Sequence, residues 1–140
     1  MDTPAIRAEN IEKIYGSGTS ALKVLDGITL DIRRGEVVSI VGPSGAGKST
    51  FLNLIGCLDT FESGTLKVLD RDVSDLSIET MSGFRNRHLG FIFQLHNLLP
   101  EFTALENVMI PLMIRRSPRA EARLKAMELL ERFGLCGHDE

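Results

Sequence analysis

The chain has 140 residues, of which 43% are hydrophobic and 25% charged, and this is the composition of an ordinary globular domain, not of a disordered or fibrous chain. Its net charge of -3, without a cluster of lysine and arginine, argues against a nucleic-acid partner, because phosphate backbones are bound through basic patches. No stretch approaches the roughly eighteen apolar residues of a membrane span, so we expect any role at a membrane to go through partner proteins.

Residues 6–32 predict two strands of an antiparallel sheet. Apolar side chains alternate with polar ones, mostly at a period of two, which is the spacing of a strand with one buried face. The turn-forming stretch Gly16-Ser17-Gly18 interrupts the alternation. The apolar positions of the pattern are Ile6, Ala8, Leu22, Val24, Ile28, Leu30 and Ile32.

A strand, a loop, a helix and another strand are predicted next. Residues 37–41 (VVSIV) form a nearly continuous apolar run, which is typical of a central parallel strand buried on both faces. After a glycine-rich loop, apolar residues recur at helical spacing through 51–58. The pair Ser63-Gly64 marks a turn before a strand at 65–69.

The alternation of helices and strands then continues. Ser77 is a suitable N-cap for a helix that ends near Asn86. Residues 88–94 (HLGFIFQ) predict a second buried strand. The order of these segments predicts an α/β fold, with a parallel core that follows an antiparallel opening sheet.

The last third of the chain is predicted to be helical. Thr103 and Glu106 have the spacing of a reciprocal capping box at a helix start, and Pro111 is expected to end or kink that helix. Ser117 and Pro118 supply an N-cap and a first-turn proline for the last helix, which is expected to stop at Gly134. Its predicted apolar face consists of Leu124, Met127, Leu130 and Phe133.

The strongest motif is GPSGAGKS at 42–49, which has the spacing G-x-x-x-x-G-K-S between a predicted strand and a predicted helix. Its glycines let the backbone wrap a phosphate chain, and the helix start adds partial positive charge. Lys48 is placed to reach the β- and γ-phosphates, Ser49 to coordinate Mg²⁺ and Thr50 to touch the α-phosphate. The predicted phosphate-binding residues are Gly42, Pro43, Ser44, Gly45, Ala46, Gly47, Lys48, Ser49 and Thr50.

Two further residues are candidates for the nucleotide site, and the residues alone leave two interpretations of each. Tyr15, the only tyrosine, is either a half-buried aromatic that closes a strand or a ring on which adenine stacks. Gln94, at the end of a predicted strand, is either a solvated amide or a ligand of Mg²⁺ near the γ-phosphate.

With these motifs in this order, the chain resembles the ATPase subunits of ABC transporters over its whole length. Residues 89–108 (LGFIFQLHNLLPEFTALENV) look especially like the lipoprotein-releasing LolD group, and the macrolide-exporting MacB group is next. The resemblance implies that Tyr15 stacks on adenine, that 42–49 is the Walker A loop and that Gln94 senses Mg²⁺ and the γ-phosphate. Lys48 and Gln94 are then the expected catalytic residues, with ATP and Mg²⁺ as cofactors.

The resemblance also implies an architecture and a location. The expected fold is the P-loop NTPase class with a RecA-like parallel core and an N-terminal antiparallel subdomain at 1–94, followed by the start of a helical subdomain at 95–140. The surface from Leu95 through Arg115 would receive a membrane subunit of the transporter. The intact parent would be a homodimer on the cytoplasmic face of the cell membrane, where it energises the transport of lipoproteins or a similar hydrophobic cargo.

Three motifs of the family do not occur in these residues: a Leu-Ser-Gly-Gly-Gln-like signature, a strand that ends in Asp-Glu, and a later switch histidine. The resemblance therefore implies a truncated chain that binds nucleotide without efficient hydrolysis. A non-catalytic module that binds nucleotide or a partner is the alternative. A soluble P-loop kinase or GTPase is disfavoured. The sequence has no Asn-Lys-x-Asp motif for guanine, and the arginines that could form a kinase lid, Arg115, Arg116 and Arg119, lie far downstream on a predicted helix.

Overall fold

A computed structural model describes residues 3–74 and 76–135. The chain forms two compact units, Met1–Arg85 and Asn86–Glu140, whereas a division of the family's subdomains at Gln94 stays a prediction. The strands are β1 (Ile6–Tyr15), β2 (Leu22–Ile32), β3 (Ser63–Val68) and β4 (Arg71–Asp72), and the helices are α1 (Lys48–Ile55), α2 (Ile78–His88), α3 (Ala104–Ile114) and α4 (Arg119–Arg132), with a 3-10 turn at Gly18–Ser20.

The first unit is organised by an antiparallel sheet in the order β2-β1-β3-β4. This confirms the predicted opening sheet and the predicted strand near 65–69, which begins earlier, at Ser63. Helix α1 follows the glycine-rich loop as predicted, and Ser77 accepts a hydrogen bond from the Thr80 backbone N–H at the start of α2. The buried apolar residues of this unit are Ala8, Ile11, Leu25, Phe51, Leu54, Cys57, Leu66, Val68, Val73 and Phe84.

A bulge in β1 changes which side chains of that strand point inward. The register with β2 shifts between Ala8 and Ile11, and the register with β3 shifts between Glu9 and Glu12. Asn10 lies at the bulge with a φ of 50°, and its backbone N–H donates to the Thr29 hydroxyl at 2.9 Å. The buried positions of the strand are consequently Ala8, Ile11 and Lys13. The first two are three positions apart, whereas regular alternation would place them two positions apart.

Neither of the two segments predicted to be parallel strands forms a strand, so these two predictions were wrong. Residues 37–41 and 89–94, all within the described part of the chain, contain no strand, and Val37, Val41 and Ile92 are exposed. An apolar run indicates that a segment can fill the middle of a sheet, but strand structure requires hydrogen bonds to a neighbouring strand. Among the described residues, β1 to β4 pair with one another and not with either segment.

In the second unit, α3 packs against α4. The predicted capping box is confirmed: Thr103 accepts from the Glu106 backbone N–H, and the Glu106 carboxylate accepts from the Thr103 backbone N–H. The helix continues through Pro111 to Ile114, so Pro111 does not end it. In the described part of the chain, no helix is both long and apolar enough to cross a membrane.

Helix α4 differs from its prediction at its start and on its buried face. Its N-cap is Pro118, whose backbone, with a φ of -54° and a ψ of 136°, is not helical, and the helix begins at Arg119; the prediction of Ser117 as N-cap was therefore wrong. The predicted apolar face was also wrong except for Leu130, because Leu124, Met127 and Phe133 are exposed. Small side chains let two helices approach closely, and here the buried cluster is formed by Leu105, Met109, Ala122, Ala126 and Leu130.

Candidate functional site

The glycine-rich loop at 42–49 ends in the first turn of α1. Gly47 is the N-cap of the helix with a φ of 82°, and Gly45 has a φ of 80°, so both lie in the left-handed region that favours glycine. No side chain caps the start of α1. The first backbone N–H groups of a helix have no acceptor within the helix, and they carry partial positive charge. The loop therefore offers backbone donors at a point suited to an anion.

Gly47 is held tightly against β2. A Cβ atom at this position would lie 2.7 Å from Leu25 Cδ2 and 2.9 Å from the Val24 backbone oxygen. Either distance is too short for a real side chain. The start of α1 is thus seated on the sheet by a contact that only glycine permits, and this contact fixes the direction in which the first N–H groups point.

The Lys48 side chain folds back over the loop. Its ammonium donates to the Gly42 backbone oxygen at 2.9 Å and to the Pro43 backbone oxygen at 2.7 Å. These acceptors are neutral, and Lys48 is not buried. Because a hydrogen bond to an anionic oxygen is stronger than one to a neutral carbonyl, a phosphate in the loop can take over this ammonium.

An open cavity of ≈ 340 Å³ lies over the loop, with polar groups as the larger part of its lining. It has room for a phosphate chain, and the Ser49 hydroxyl in its wall is a hard oxygen donor of the kind that Mg²⁺ prefers. Within residues 3–74 and 76–135, no three or more His, Cys, Asp or Glu residues form a metal-holding group. Mg²⁺ fits such a site, since it commonly takes one or two protein ligands and the rest from phosphate and water. The cavity is lined by Val24, Ser44, Gly45, Ala46, Gly47, Lys48, Ser49 and Thr50.

Tyr15 closes β1 in the same unit as the loop, and 41% of its surface is exposed. Its hydroxyl donates to Asp59 Oδ2 at 2.6 Å, and Thr50 lies close enough to influence the ionisation of the phenol. The ring is therefore linked both to the segment after α1 and to the first turn of α1. This geometry agrees with either reading of Tyr15, a strand-closing aromatic or a platform for a base.

Lys13 and Asp59 are polar partners of Tyr15 that the sequence analysis did not identify. Lys13 is only 5% exposed, and its ammonium donates to Asp59 Oδ1 at 3.1 Å and to the Thr60 backbone oxygen at 2.6 Å. The same ammonium lies 4.7 Å from the centroid of the Tyr15 ring. No local motif marks these residues, because their contacts join β1 to a segment far along the chain.

The ionisation of Tyr15 provides a test of this network. Its pKa is raised above the ordinary value, first because its hydroxyl donates to Asp59 and then because of burial. A phenol with a higher pKa in the folded than in the unfolded chain stabilises the fold below pH about 10, and this contribution is lost as the pH rises through the folded pKa. Tyr15 is the only tyrosine, so the ultraviolet absorbance of phenolate reports it alone.

In a pH titration of the folded chain, we expect the absorbance midpoint to lie above about 10. The Asp59→Asn variant should move the midpoint downward, because it weakens the hydrogen bond that the neutral phenol donates and also removes the negative charge of the carboxylate. Asp31→Asn, which changes an exposed carboxylate paired with Arg7, should leave it in place. A midpoint at the ordinary value in the unmodified chain would contradict the contact.

Gln94 lies in the second unit, on an exposed stretch without helix or strand. The structure therefore brings Tyr15 and the loop residues 42–50 into one unit, whereas Gln94 belongs to the other. The role of Gln94 as a ligand of Mg²⁺ stays a prediction.

The sequence is similar to a known family and to named proteins. The ABC transporter family model matches residues 25–139. The chain is 53% identical over 130 residues to the lipoprotein-releasing system ATP-binding protein LolD of Bacteroides fragilis (strain YCH46), covering 93% of this chain and 58% of that protein. It is 47% identical over 137 residues to the protein of the same name from Bordetella pertussis (strain Tohama I), covering 98% of this chain and 59% of that protein. The chain thus spans less than two thirds of these relatives.

The fold also has solved counterparts. The ATP-binding cassette MJ0796, solved as a dimer in a post-hydrolysis state bound to ADP and Pi, matches with a TM-score of 0.80 and 40% sequence identity. The match covers 90% of this chain and 56% of that one. A second dimeric structure of MJ0796, described as a bacterial ABC transporter cassette, matches equally well. These likenesses confirm the expected P-loop NTPase fold class.

Proposed function

The chain belongs to the ABC transporter family, and from that premise we propose that it acts as an ATP-binding part of a transport ATPase. The observation that carries the proposal is the loop at 42–49, where left-handed glycines lead into an uncapped helix start beside the Lys48 ammonium. This is a set of donors for a phosphate chain.

The proposal assigns different roles to the backbone and to the side chains at the end of the loop. The backbone N–H groups at the start of α1 bind phosphate oxygens, and Lys48 moves its hydrogen bonds from the loop carbonyls to the β- and γ-phosphates. Ser49 contributes its hydroxyl to Mg²⁺, which, when bound, neutralises charge on the phosphates. Thr50 lies one residue further along α1, where it can touch the α-phosphate.

Residues outside the loop are proposed to contact the base and the γ-phosphate. Tyr15 offers its partly exposed ring to adenine, supported by its location in the loop's own unit and by the influence of Thr50 on its phenol. Gln94 supplies an amide that responds to Mg²⁺ and the γ-phosphate, supported by the family membership of the chain. The resemblance assigns water activation to an Asp-Glu pair that these 140 residues do not contain, so we expect nucleotide binding without efficient turnover.

The partner in this proposal is a membrane subunit of the transporter, and the surface at 95–115 receives it. The Asn107 amide holds the loop before α3 in place, because it donates to the Leu99 and Phe102 backbone oxygens and accepts from the Leu99 backbone N–H. The surface is thus both apolar and ordered. Its exposed apolar side chains are Leu95, Leu98, Leu99, Phe102, Met113 and Ile114.

The names of the relatives support a proposal for the cargo. Two proteins at 47% and 53% identity are ATP-binding proteins of lipoprotein-releasing systems. We therefore assign the chain to the release of lipoproteins or a similar hydrophobic substrate, at the cytoplasmic face of the membrane. The dimers formed by MJ0796 support a homodimeric parent.

Titration calorimetry with ATP and Mg²⁺ tests the nucleotide site, on the unmodified chain and on Lys48→Ala. We expect the unmodified chain to bind and the variant to lose about tenfold or more in affinity, since a hydrogen bond to a charged group contributes about 1.5–3 kcal/mol. Lys67→Ala is the matched control, because it removes an exposed lysine from β3 in the same unit. Phosphate release is followed on the same samples, and little release is expected.

Two results would contradict the proposal. The first is no binding of ATP by the unmodified chain. The second is an unchanged affinity in Lys48→Ala, which would mean that the ammonium does not contribute to the site.

A further inference from the structure

Lys13 is a buried cation whose ammonium is surrounded by acceptors. It is the only charged residue among the buried ones in the described chain, at 5% exposure. Removing an ammonium from water is costly unless acceptors surround it. Three surround this one: Asp59 Oδ1 at 3.1 Å, the Thr60 backbone oxygen at 2.6 Å, and Glu62 Oε1 at 3.8 Å.

Asp59 uses its two carboxylate oxygens for two different partners. Oδ1 accepts from the Lys13 ammonium, and Oδ2 accepts from the Tyr15 hydroxyl at 2.6 Å. The Thr60 backbone N–H also donates to Oδ1 at 2.8 Å. Because Asp59 is itself fixed in this way, the far end of the Tyr15 side chain is tied to a rigid point.

The position of Lys13 decides which face of the Tyr15 ring is available. The ammonium lies over the ring, 4.7 Å from its centroid, so one face is already occupied by a favourable cation contact. The ring is nevertheless 41% exposed. A planar ligand can therefore stack only on the face away from Lys13.

We propose that Lys13 and Asp59 are positioning residues that lock the Tyr15 ring and present its outer face to the base of the nucleotide. The inference rests on the proposed function, since it assumes that the loop at 42–49 binds a nucleotide's phosphates. Asp59 clamps the hydroxyl and Lys13 covers the inner face. Stacking then requires no ordering of the ring when the nucleotide binds, and pre-organisation of this kind raises affinity.

The proposal separates the base from the phosphates, so the test uses two ligands. ATP carries both, and inorganic tripolyphosphate carries the phosphate chain without a base. For Asp59→Asn we expect affinity for ATP to fall about fivefold, the range of one lost hydrogen bond, while affinity for tripolyphosphate stays within about twofold. Asp31→Asn is the control, because it changes a carboxylate of the same sheet that pairs with the exposed Arg7.

A second variant leaves both charges in place. Tyr15→Phe retains the aromatic ring and removes only the hydroxyl that Asp59 holds. Its affinity for ATP should fall about as much as that of Asp59→Asn, although a ring for stacking is still present. A purely structural role of Asp59 would weaken both ligands alike in Asp59→Asn and would leave Tyr15→Phe unchanged.

A spectroscopic signal follows the ring itself. The chain has one tyrosine and no tryptophan, so its near-ultraviolet circular dichroism and its tyrosine emission report Tyr15. We expect ATP, but not tripolyphosphate, to quench the emission of the unmodified chain. The tyrosine dichroism band should weaken in Asp59→Asn and in Lys13→Met, because a released ring averages over several orientations.

The outcomes distinguish the two proposals. If ATP binds and Lys48→Ala weakens it, but Asp59→Asn and Tyr15→Phe bind ATP as tightly as the unmodified chain, the positioning role is wrong and the proposed function stands. Equal losses for ATP and tripolyphosphate in Asp59→Asn also overturn the positioning role. If the unmodified chain binds neither ligand, the proposed function fails, and the positioning role fails with it.

Discussion

Replacing Gly64 by alanine is expected to unfold the first unit at a much lower urea concentration. A Cβ at Gly64 would lie 2.5 Å from the Asn10 backbone oxygen and 2.6 Å from the Glu9 backbone oxygen, and its φ of 103° is unfavourable for any other residue. Neither oxygen can yield easily, because both belong to the backbone of β1. Overpacking and backbone strain together should lower the free energy of unfolding by about 3 kcal/mol.

The control for this prediction is Gly27→Ala in β2, which pairs with the other edge of β1. Gly27 also has a positive φ of 71°, but a Cβ there would meet nothing within 4 Å. Its cost should therefore be that of the backbone alone, about 1 kcal/mol. Urea unfolding followed by the emission of Tyr15 reports the first unit. Equal midpoints for the two variants would show that β1 does not approach Gly64 as closely as described.

Replacing Gly47 by alanine is expected to weaken nucleotide binding strongly and also to destabilise the first unit. The new methyl group would collide with Leu25 and with the Val24 backbone oxygen, so the start of α1 would have to leave β2. The backbone N–H groups would then turn away from the phosphates. Because each charge-assisted hydrogen bond contributes about 1.5–3 kcal/mol, the loss of two corresponds to about a hundredfold or more in affinity.

Two controls separate the collision from other effects of a methyl group. Gly45→Ala has nearly the same φ, 80°, but its Cβ would meet nothing within 4 Å, so in urea unfolding it should cost about 1 kcal/mol and less than Gly47→Ala. Gly27→Ala lies outside the loop and serves as the control for ATP binding by calorimetry. If Gly47→Ala binds ATP with unchanged affinity, the seating of α1 on β2 is not what directs its N–H groups.

Local features of the fold could be predicted from the sequence. The capping box of Thr103 and Glu106 requires only two residues three positions apart, and it forms as expected. The loop at 42–49 and helix α1 likewise depend on glycines and helical spacing within one short segment. In each case the residues that determine the structure are neighbours in the chain, so spacing alone is sufficient.

Features that depend on distant partners could not be predicted. The run at 37–41 has the composition of a central strand, yet whether it becomes one depends on a neighbouring strand that its own residues do not specify. The buried face of α4 is set by what α3 offers, so the alanines Ala122 and Ala126 are buried in place of larger residues. The contact of Lys13 with Asp59 joins segments that are remote in sequence, and no local motif predicts it.

The bulge at Asn10 determines whether even-numbered or odd-numbered residues of β1 are buried. Before it, the fully buried side chain is at an even position, Ala8, and after it the buried side chains are at the odd positions Ile11 and Lys13. The residue number of Tyr15 is odd as well, so the ring that we assign to the base shares the alternation of Ile11 and Lys13, and this alternation matches the face of Ala8 only because one extra residue was inserted. A deletion of that residue would exchange the two faces of the strand beyond it. Insertions or deletions in pairs would preserve the alternation, and we expect natural length variation in this strand to come in twos.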